Sequence, residues 1–238
     1  MNPFFGEFFG TAIILLLGGG VCANVSLSKT YGHQSGWIVI TFGWAIGVFA
    51  GVLFAAPISG AHLNPAVTLA LVLSQQFPAA LIPAYFTAQL LGAMFGSGLV
   101  WLAYKKHFDI TVDGDAKLGV FCTAPSIRSR WFNVLTELIG THTLTMAVLY
   151  MATPDVGLGA LNALPVALVV LGIGLSLGGA TGYAINPARD LGPRIMHYFL
   201  PIPHKRDSDW GYSWVPILGP ALGAVSAAGL YLILKSFN

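Results

Sequence analysis

The sequence predicts an all-α membrane protein, in which six transmembrane helices and two re-entrant half-helices form two inverted three-helix repeats around a central pore. Three observations predict this fold class. The composition is too apolar for a soluble domain, six apolar stretches have membrane-spanning length, and two shorter apolar segments lie at matching positions of the two halves.

The composition indicates a protein whose surface faces lipid. Of the 238 residues, 55% are hydrophobic and 8% are charged, whereas a soluble domain has about 25% charged residues. No Asp, Glu, Lys or Arg occurs in the 75 residues between Lys29 and Lys105, or in the 25 residues between Asp209 and Lys235. A spanning helix needs about 20 largely apolar residues, so the first run alone can hold more than two spans. The lipid bilayer is therefore the expected partner.

Six apolar stretches are bounded by glycine, proline or polar residues. They cover residues 4–26, 36–56, 80–104, 131–153, 163–181 and 212–235. Glycines recur four residues apart within them, as Gly92 and Gly96 or Gly219 and Gly223 do. Because this spacing lets helix backbones approach closely in lipid, we interpret most of these glycines as packing positions.

Two further apolar segments are too short to span a membrane. They cover about residues 64–75 and about residues 186–198, and each follows a glycine-rich stretch. A helix of about twelve residues is about 18 Å long, against a hydrocarbon core of about 30 Å. Irregular backbone at membrane depth is tolerated only where protein buries it or where it lines a wet cavity. These segments are therefore predicted to be half-helices at a transport site.

The two halves of the chain repeat one order of segments. Gly-Ala-His-Leu-Asn-Pro-Ala at 60–66 matches Gly-Tyr-Ala-Ile-Asn-Pro-Ala at 182–188, and the segment at 7–11 matches that at 137–141. The first repeat is therefore predicted to cover residues 1–104 and the second residues 131–238, with a connecting loop at 105–130. Three spans in each repeat make the two repeats inverted in the membrane.

Each half-helix begins with an Asn-Pro-Ala motif. The motif residues are Asn64, Pro65, Ala66, Asn186, Pro187 and Ala188. Asn is a favoured N-cap, and Pro at the first helical position loses only an N–H that had no partner. In inverted repeats the two N-termini meet near mid-membrane, each with roughly +0.5 charge. Such a site repels cations and turns water oxygens towards the asparagines, which breaks a proton-conducting chain of waters.

With these motifs the sequence closely resembles the aquaporin, or major intrinsic protein, family over almost its whole length. The segments SGAHLNPAV and GYAINPARD carry the resemblance. Asp190 after Arg189, Pro216-Ile217 and Gly174 resemble the aquaglyceroporin, or glycerol-facilitator, branch, since water-selective members usually have other residues there. The resemblance implies a homotetramer in the plasma membrane, with one pore in each subunit.

The resemblance also implies a selectivity filter formed by Trp44, Gly174, Tyr183 and Arg189. An arginine in an apolar region is costly and indicates function, and its five fixed donors can bind hydroxyl oxygens. Trp44 and Tyr183 are expected to form an apolar wall for the C–H side of a polyol, and Gly174 to leave room for its carbon chain. Glycerol facilitators commonly have Phe in place of Tyr183. Water, dihydroxyacetone, urea, hydrogen peroxide and protonated lactic acid therefore compete with glycerol as the preferred solute.

Four more residues are candidates for pore lining or structural support: Glu7, His62, Glu137 and Asp190. Carboxylates in transporters often relay protons. The repeat-related positions of Glu7 and Glu137 favour a structural role instead, in which they accept hydrogen bonds from the N–H groups of the irregular segments. We interpret His62 as pore-facing or as a backbone brace. Arg194 replaces a Lys that is common in the branch and is not expected to affect the pore.

Other function classes lack their residues in this sequence. There is no nucleophile–base set and no P-loop. His142 and His197 have no ligand partners at metal-binding spacing, and no basic stripe exists for nucleic acid. We therefore expect no enzyme, metal or cofactor, and we expect Cys22 and Cys122 to be inert.

The leading hypothesis is a passive channel for glycerol, other small uncharged solutes and water, which excludes ions and protons. An ion-coupled secondary transporter, which also uses inverted repeats and broken helices, is one alternative. A structural junction or adhesion protein with a vestigial pore is another.

The loop charges disagree with the orientation of the family. The resemblance places both termini in the cytoplasm, which leaves eight Lys and Arg residues of the three connecting segments outside and Lys235 inside. The positive-inside rule predicts the opposite orientation. We follow the resemblance because it covers the whole chain, and net flux through a passive pore follows the solute gradient in either orientation.

Overall fold

The computed structural model describes residues 2–151 and 159–237, and within these residues the regular structure is helical. The α-helices are α1 (Pro3–Ser26), α2 (Trp37–Ser59), α3 (Pro65–Leu73), α4 (Ile82–Ala103), α5 (Lys105–Ile110), α6 (Gly114–Phe121), α7 (Arg130–Tyr150), α8 (Leu164–Ser176), α9 (Gly178–Thr181), α10 (Pro187–Phe199) and α11 (Val215–Lys235). Short 3₁₀ turns at Ala79–Leu81 and Gly159–Ala163 precede α4 and α8.

Four of the predicted spans are long apolar helices: α1, α2, α4 with its preceding turn, and α11. Helix α7 has 21 residues but is less apolar, because its buried side carries Asn133, Glu137, Thr141 and Thr145. Helix α8 has 13 residues, and it is extended by the 3₁₀ turn before it and by α9 after it. The predicted end of the fourth span, at residues 152–153, lies outside the described residues.

The second span continues past its predicted end at residue 56. Pro57 lies inside α2, in its last turn, and the helix ends at Gly60, whose φ of 83° places it in the left-handed region. A left-handed glycine is a common helix terminator. The glycine, rather than the proline, therefore ends this span and turns the chain towards α3.

The helices pack in matched pairs. Helix α1 packs against α2 and α4, and α7 packs against α8 and α11. Each half-helix packs on the last span of the other half, α3 on α11 and α10 on α4. Glycines permit the closest approaches, since a Cβ on Gly223 would lie 2.6 Å from Leu138 O and one on Gly96 would lie 3.0 Å from Leu15 Cβ. This packing holds both half-helices between the spans.

The predicted connecting loop at 105–130 is not an irregular chain. It contains α5 and α6, and Asp113 caps α6 by accepting a hydrogen bond from Asp115 N at 2.8 Å. Phe108, Leu118 and Phe121 are buried in a cluster with residues at the end of α1. Helix α6 packs against both α1 and α10, so this segment supports one end of the second half-helix.

Candidate solute pathway

Reciprocal hydrogen bonds join the N-termini of the two half-helices. The side-chain amide of Asn64 donates to Ile185 O at 2.9 Å, and that of Asn186 donates to Leu63 O at 2.9 Å. Each Oδ1 also accepts from the backbone N–H two residues further on, at 2.8 Å and 3.0 Å. An asparagine amide has two N–H donors, so each one retains a donor for another partner.

Glu7 of α1 holds the segment that leads into α3. Its Oε1 accepts from Ser59 Oγ at 2.7 Å and from His62 N at 3.0 Å. Its Oε2 accepts from Leu63 N at 2.7 Å and from Gln89 Nε2 at 2.7 Å. The carboxylate is fully buried, and four donors occupy its two oxygens.

Glu137 of α7 holds the corresponding segment before α10. It accepts from Thr181 Oγ1 at 2.6 Å, from Ala184 N at 3.0 Å and from Ile185 N at 2.8 Å. Ile185 has a φ of 44°, and Leu63 in the first half has a φ of 51°. Positive φ is unusual for bulky residues and a clear outlier for a β-branched one. The two carboxylates therefore satisfy backbone groups in two matching, strained segments.

A cavity of about 220 Å³ lies beside the joined N-termini. Apolar side chains from five helices line it: Ile14, Val48, Val52, Val67, Leu71, Leu144, Val148, Val166 and Val170. The two extended segments, residues 60–64 and 183–186, form the rest of its wall together with Trp44, Arg189 and residues of the α7–α8 connection. The backbone oxygens of residues 60–62, 183 and 184 accept no hydrogen bond from the described residues, so they remain available as acceptors.

The structure places His62 between the cavity and α3. It lines the cavity, and its Nδ1 lies 3.1 Å from Thr68 Oγ1 on α3. Its ring packs edge-on against Phe77, with ring centroids 4.5 Å apart. His62 thus connects the extended segment to the half-helix that follows it.

Arg189 extends from the first turn of α10 into the cavity lining. Its guanidinium carbon lies 4.0 Å from the centroid of the Trp44 ring, and the residue is only 8% exposed. Within the described residues its guanidinium has neither a hydrogen-bond acceptor nor a carboxylate partner. Trp44 therefore supports a buried cation with free donors, a role beyond the apolar wall predicted from the sequence.

Gly174 does not leave the open space that the sequence suggested. A Cβ on Gly174 would lie 2.9 Å from Tyr183 Cζ and 3.0 Å from Thr41 Cγ2. The Tyr183 ring fills this space, and Tyr183, not Gly174, belongs to the described residues that line the cavity. Trp37 donates from Nε1 to Gly174 O at 2.9 Å. The absence of a side chain at Gly174 thus leaves the space that the Tyr183 ring occupies. The buried Tyr183 hydroxyl has no hydrogen-bond partner among the described residues.

Comparison with known proteins agrees with this arrangement of paired half-helices around a cavity. The family profile "Major intrinsic protein" matches residues 1–231. The chain belongs to this family. It is 54% identical, over 97% of its own length and 98% of the relative's, to a probable glycerol uptake facilitator protein of Thermotoga maritima. A glycerol uptake facilitator protein of Bacillus subtilis is 51% identical, over 94% of this chain and 81% of the relative.

A solved structure of a relative has the same fold. The aquaglyceroporin from Plasmodium falciparum superposes with a TM-score of 0.84 at 35% identity, over 96% of this chain and 93% of that chain. The predicted fold class, an all-helical protein of the major intrinsic protein family, is confirmed. The chain is a multi-pass integral membrane protein.

Arg194, which the sequence indicated only as a replacement of a common Lys, is a structural residue of this major intrinsic protein. It is fully buried, and it donates to Asp190 Oδ1 at 2.8 Å, to Thr123 O at 2.9 Å and to Ser208 O at 2.7 Å. Asp190 also accepts from Thr123 N at 2.8 Å. The Arg194–Asp190 pair therefore connects α10 to the segments that contain Thr123 and Ser208. The same rule that singles out Arg189, an arginine in an apolar region, also applies to Arg194.

Gly18 on α1 lies against the Trp44 ring, and its replacement is expected to displace that ring. A Cβ at Gly18 would lie 2.5 Å from Trp44 Cδ2. Overpacking of this kind destabilises the folded protein by about 1–3 kcal/mol. A displaced ring that raises the barrier to solute passage by a similar free energy lowers the rate about tenfold or more. We expect Gly18→Ala to lower solute flux by about that factor in reconstituted vesicles. Gly20→Ala, where nothing lies within 4 Å of the new Cβ, is the matched control and should conduct like the wild type.

Proposed function

We propose that this major intrinsic protein is a passive channel for glycerol and other small uncharged solutes, with water, in the plasma membrane. One observation carries the proposal: Arg189 presents free guanidinium donors to a cavity whose side-chain wall is mostly apolar. That combination suits a molecule with hydroxyl groups on one side and C–H groups on the other.

Each part of such a solute has a counterpart in the cavity. Arg189 and the free amide donors of Asn64 and Asn186 can donate to hydroxyl oxygens. The unpaired backbone oxygens of residues 60–62, 183 and 184 can accept from hydroxyl hydrogens. Valine and leucine side chains contact the carbon skeleton without competing for its polar groups. A small polyol therefore exchanges its water shell for protein contacts.

An ion cannot replace its hydration shell with protein contacts in the same way. The idealised cost of moving an ion from water into a low-dielectric interior is of order 20 kcal/mol. The two half-helix N-termini add roughly +0.5 charge each, and Arg189 adds a full charge at the cavity, so cations are repelled as well. Water bound to the two asparagine amides would present its oxygen to them, which opposes proton transfer.

An ion-coupled transporter is the less favoured alternative. Coupling to protons needs a titratable group in the pathway. The candidates from the sequence were Glu7 and Glu137, and the oxygens of both are occupied by donors from the protein. We propose passive conduction without a chemical reaction, which is consistent with the description of the relatives as facilitators.

The proposal is tested by stopped-flow light scattering on vesicles that contain the purified protein. An outward water gradient and an inward glycerol gradient are applied to the same preparation. Glycerol entry well above that of empty vesicles is the expected result. Water flux with glycerol at background would contradict the glycerol proposal and favour a water channel, and glycerol accumulation driven by an ion gradient would favour the transporter.

Tyr183→Phe tests which solute the filter prefers. The Tyr183 hydroxyl has no partner among the described residues, so its removal loses no protein hydrogen bond. We expect the free energy of unfolding to change by less than about 1 kcal/mol. The hydroxyl is buried beside α8, so its removal lets the ring settle away from the cavity, and glycerol permeability is expected to rise relative to that of water. Dihydroxyacetone, urea, hydrogen peroxide and lactic acid at low pH, measured in the same vesicles, rank the competing solutes. A fall in the glycerol-to-water ratio would contradict this movement of the ring.

The repeat division and the homotetramer belong to the same proposal. The matched bonds of Glu7 and Glu137 support repeats at residues 1–104 and 131–238 joined by 105–130. The resemblance to the major intrinsic protein family is what supports the homotetramer. Cross-linking in native membranes tests the tetramer.

A further inference from the structure

Cys22 on α1 lies next to the aromatic ring that carries Arg189. Trp44 Nε1 donates to Cys22 Sγ at 3.4 Å. Both residues are buried, with Cys22 7% and Trp44 4% exposed. The described residues offer this indole N–H no other acceptor. Cys22 was expected from the sequence to be inert, and it does not line the cavity.

We propose that Cys22 is a specificity-determining positioning residue, which sets the orientation of Trp44 and through it the position of the Arg189 guanidinium. This inference rests on the proposed function, because it takes Arg189 as the group that binds the passing solute. Cys22 does not contact the solute in this scheme.

The Trp44 ring is held in place by contacts with α1. An indole has a single N–H donor, so the hydrogen bond to sulfur determines which edge of the ring faces α1. Gly18, four residues before Cys22, lets the ring lie close to α1, since a Cβ added at this position would lie 2.5 Å from Trp44 Cδ2. Together the glycine and the thiol define one seat for the ring on one face of α1.

The Trp44 ring in turn supports Arg189. The guanidinium lies 4.0 Å above the ring centroid, which is cation–π distance. It has no carboxylate or other acceptor within the described residues, so Trp44 is its main lateral support. A ring that turns away from Cys22 therefore takes the guanidinium with it, and the solute meets donors in the wrong place.

Cysteine suits this position because it is small and apolar and its sulfur is still a weak acceptor. Alanine would remove the acceptor and leave a buried N–H unpaired or force the indole to rotate. Serine would keep an acceptor at nearly the same place. The two substitutions therefore separate hydrogen bonding from packing.

The test compares the wild type with Cys22→Ala and Cys22→Ser in vesicles of one lipid composition. Glycerol and water permeabilities are measured in each preparation. We expect Cys22→Ala to lower the glycerol-to-water permeability ratio about fivefold, the factor that corresponds to one ordinary hydrogen bond. Cys22→Ser should restore most of the ratio. Cys122→Ala is the matched control: Cys122 is buried too, but its thiol bonds to Leu118 O at 3.8 Å, away from the cavity lining, and its removal should leave the ratio unchanged.

The outcomes separate this inference from the proposed function. A wild type that passes no glycerol overturns the proposed function, and the inference with it. A wild type that conducts glycerol, together with an unchanged ratio in Cys22→Ala, overturns the inference alone. A fall in the ratio that serine fails to reverse also overturns it, because packing rather than the acceptor would then be responsible.

An infrared measurement gives a readout that does not depend on flux. The indole N–H of Trp44 is the donor to Cys22 Sγ, and hydrogen bonding lowers the stretching frequency of the donor N–H. Its band is identified as the one that Trp44→Phe removes from the spectrum. We expect this band to shift to higher frequency in Cys22→Ala, and an unshifted band would overturn the hydrogen bond on which the inference depends.

Discussion

Gly174→Ala is expected to lower glycerol permeability about tenfold, with a smaller effect on water, because it forces Tyr183 into the solute cavity. The new Cβ would lie 2.9 Å from Tyr183 Cζ and 3.0 Å from Thr41 Cγ2. Contacts this short require the neighbour to move. Tyr183 is buried between α8 and the cavity, so the cavity is the free space open to its ring. A narrower passage excludes glycerol before it excludes water.

Two variants make this prediction specific. Gly172→Ala places the same methyl group on the same helix, where nothing lies within 4 Å of it, and should conduct like the wild type. Gly174→Ala combined with Tyr183→Ala should recover glycerol flux, because the displaced ring is gone. Alanine suits the backbone there, since Ala61 has a φ of 54° at the matching position of the first half. Wild-type glycerol flux in the single variant would show that Tyr183 is not seated on Gly174 in the membrane.

Much of the fold was predictable because a bilayer restricts the chain to helices of known length. The long apolar runs predicted α1, α2, α4 and α11 directly. Helix α7 was predicted from the stretch at residues 131–153, although it is less apolar than these four helices because its polar residues face inwards. The two Asn-Pro-Ala motifs predicted the starts of α3 and α10 at Pro65 and Pro187.

What the sequence could not predict depends on contacts between distant segments. The cation–π pair of Trp44 with Arg189 joins α2 to α10, and the hydrogen bond of Trp44 to Cys22 joins α2 to α1. Nothing in the local sequence around Cys22 indicates either contact. Gly174 was found by resemblance, but its physical role changed once the position of the Tyr183 ring was known. Motifs and resemblance therefore proposed these residues, and the packing shows what each side chain contacts.

Glu137→Ala is expected to disrupt the segment that leads into α10 and to abolish solute flux. It would leave three buried donors, on Thr181, Ala184 and Ile185, without the acceptor that they share. Hydrogen bonds to charged groups contribute about 1.5–3 kcal/mol each, so a loss of at least about 3 kcal/mol in the free energy of unfolding is expected. Ile185 sits at a φ of 44°, a strained conformation that persists only when its surroundings hold it. The thermal unfolding midpoint in detergent and glycerol flux in vesicles measure the two effects.

Glu137→Gln distinguishes this structural role from a proton relay. A glutamine amide has the shape of the carboxylate but one acceptor oxygen, so it can keep the bonds of Thr181 and Ala184 and lose that of Ile185. If Glu137 braces the backbone, this variant should be less stable than the wild type, more stable than Glu137→Ala, and still conduct glycerol. A relay cannot work through a group that does not titrate. A folded Glu137→Gln protein that conducts no solute would therefore contradict the brace, and would require that the ionised carboxylate itself takes part in transport.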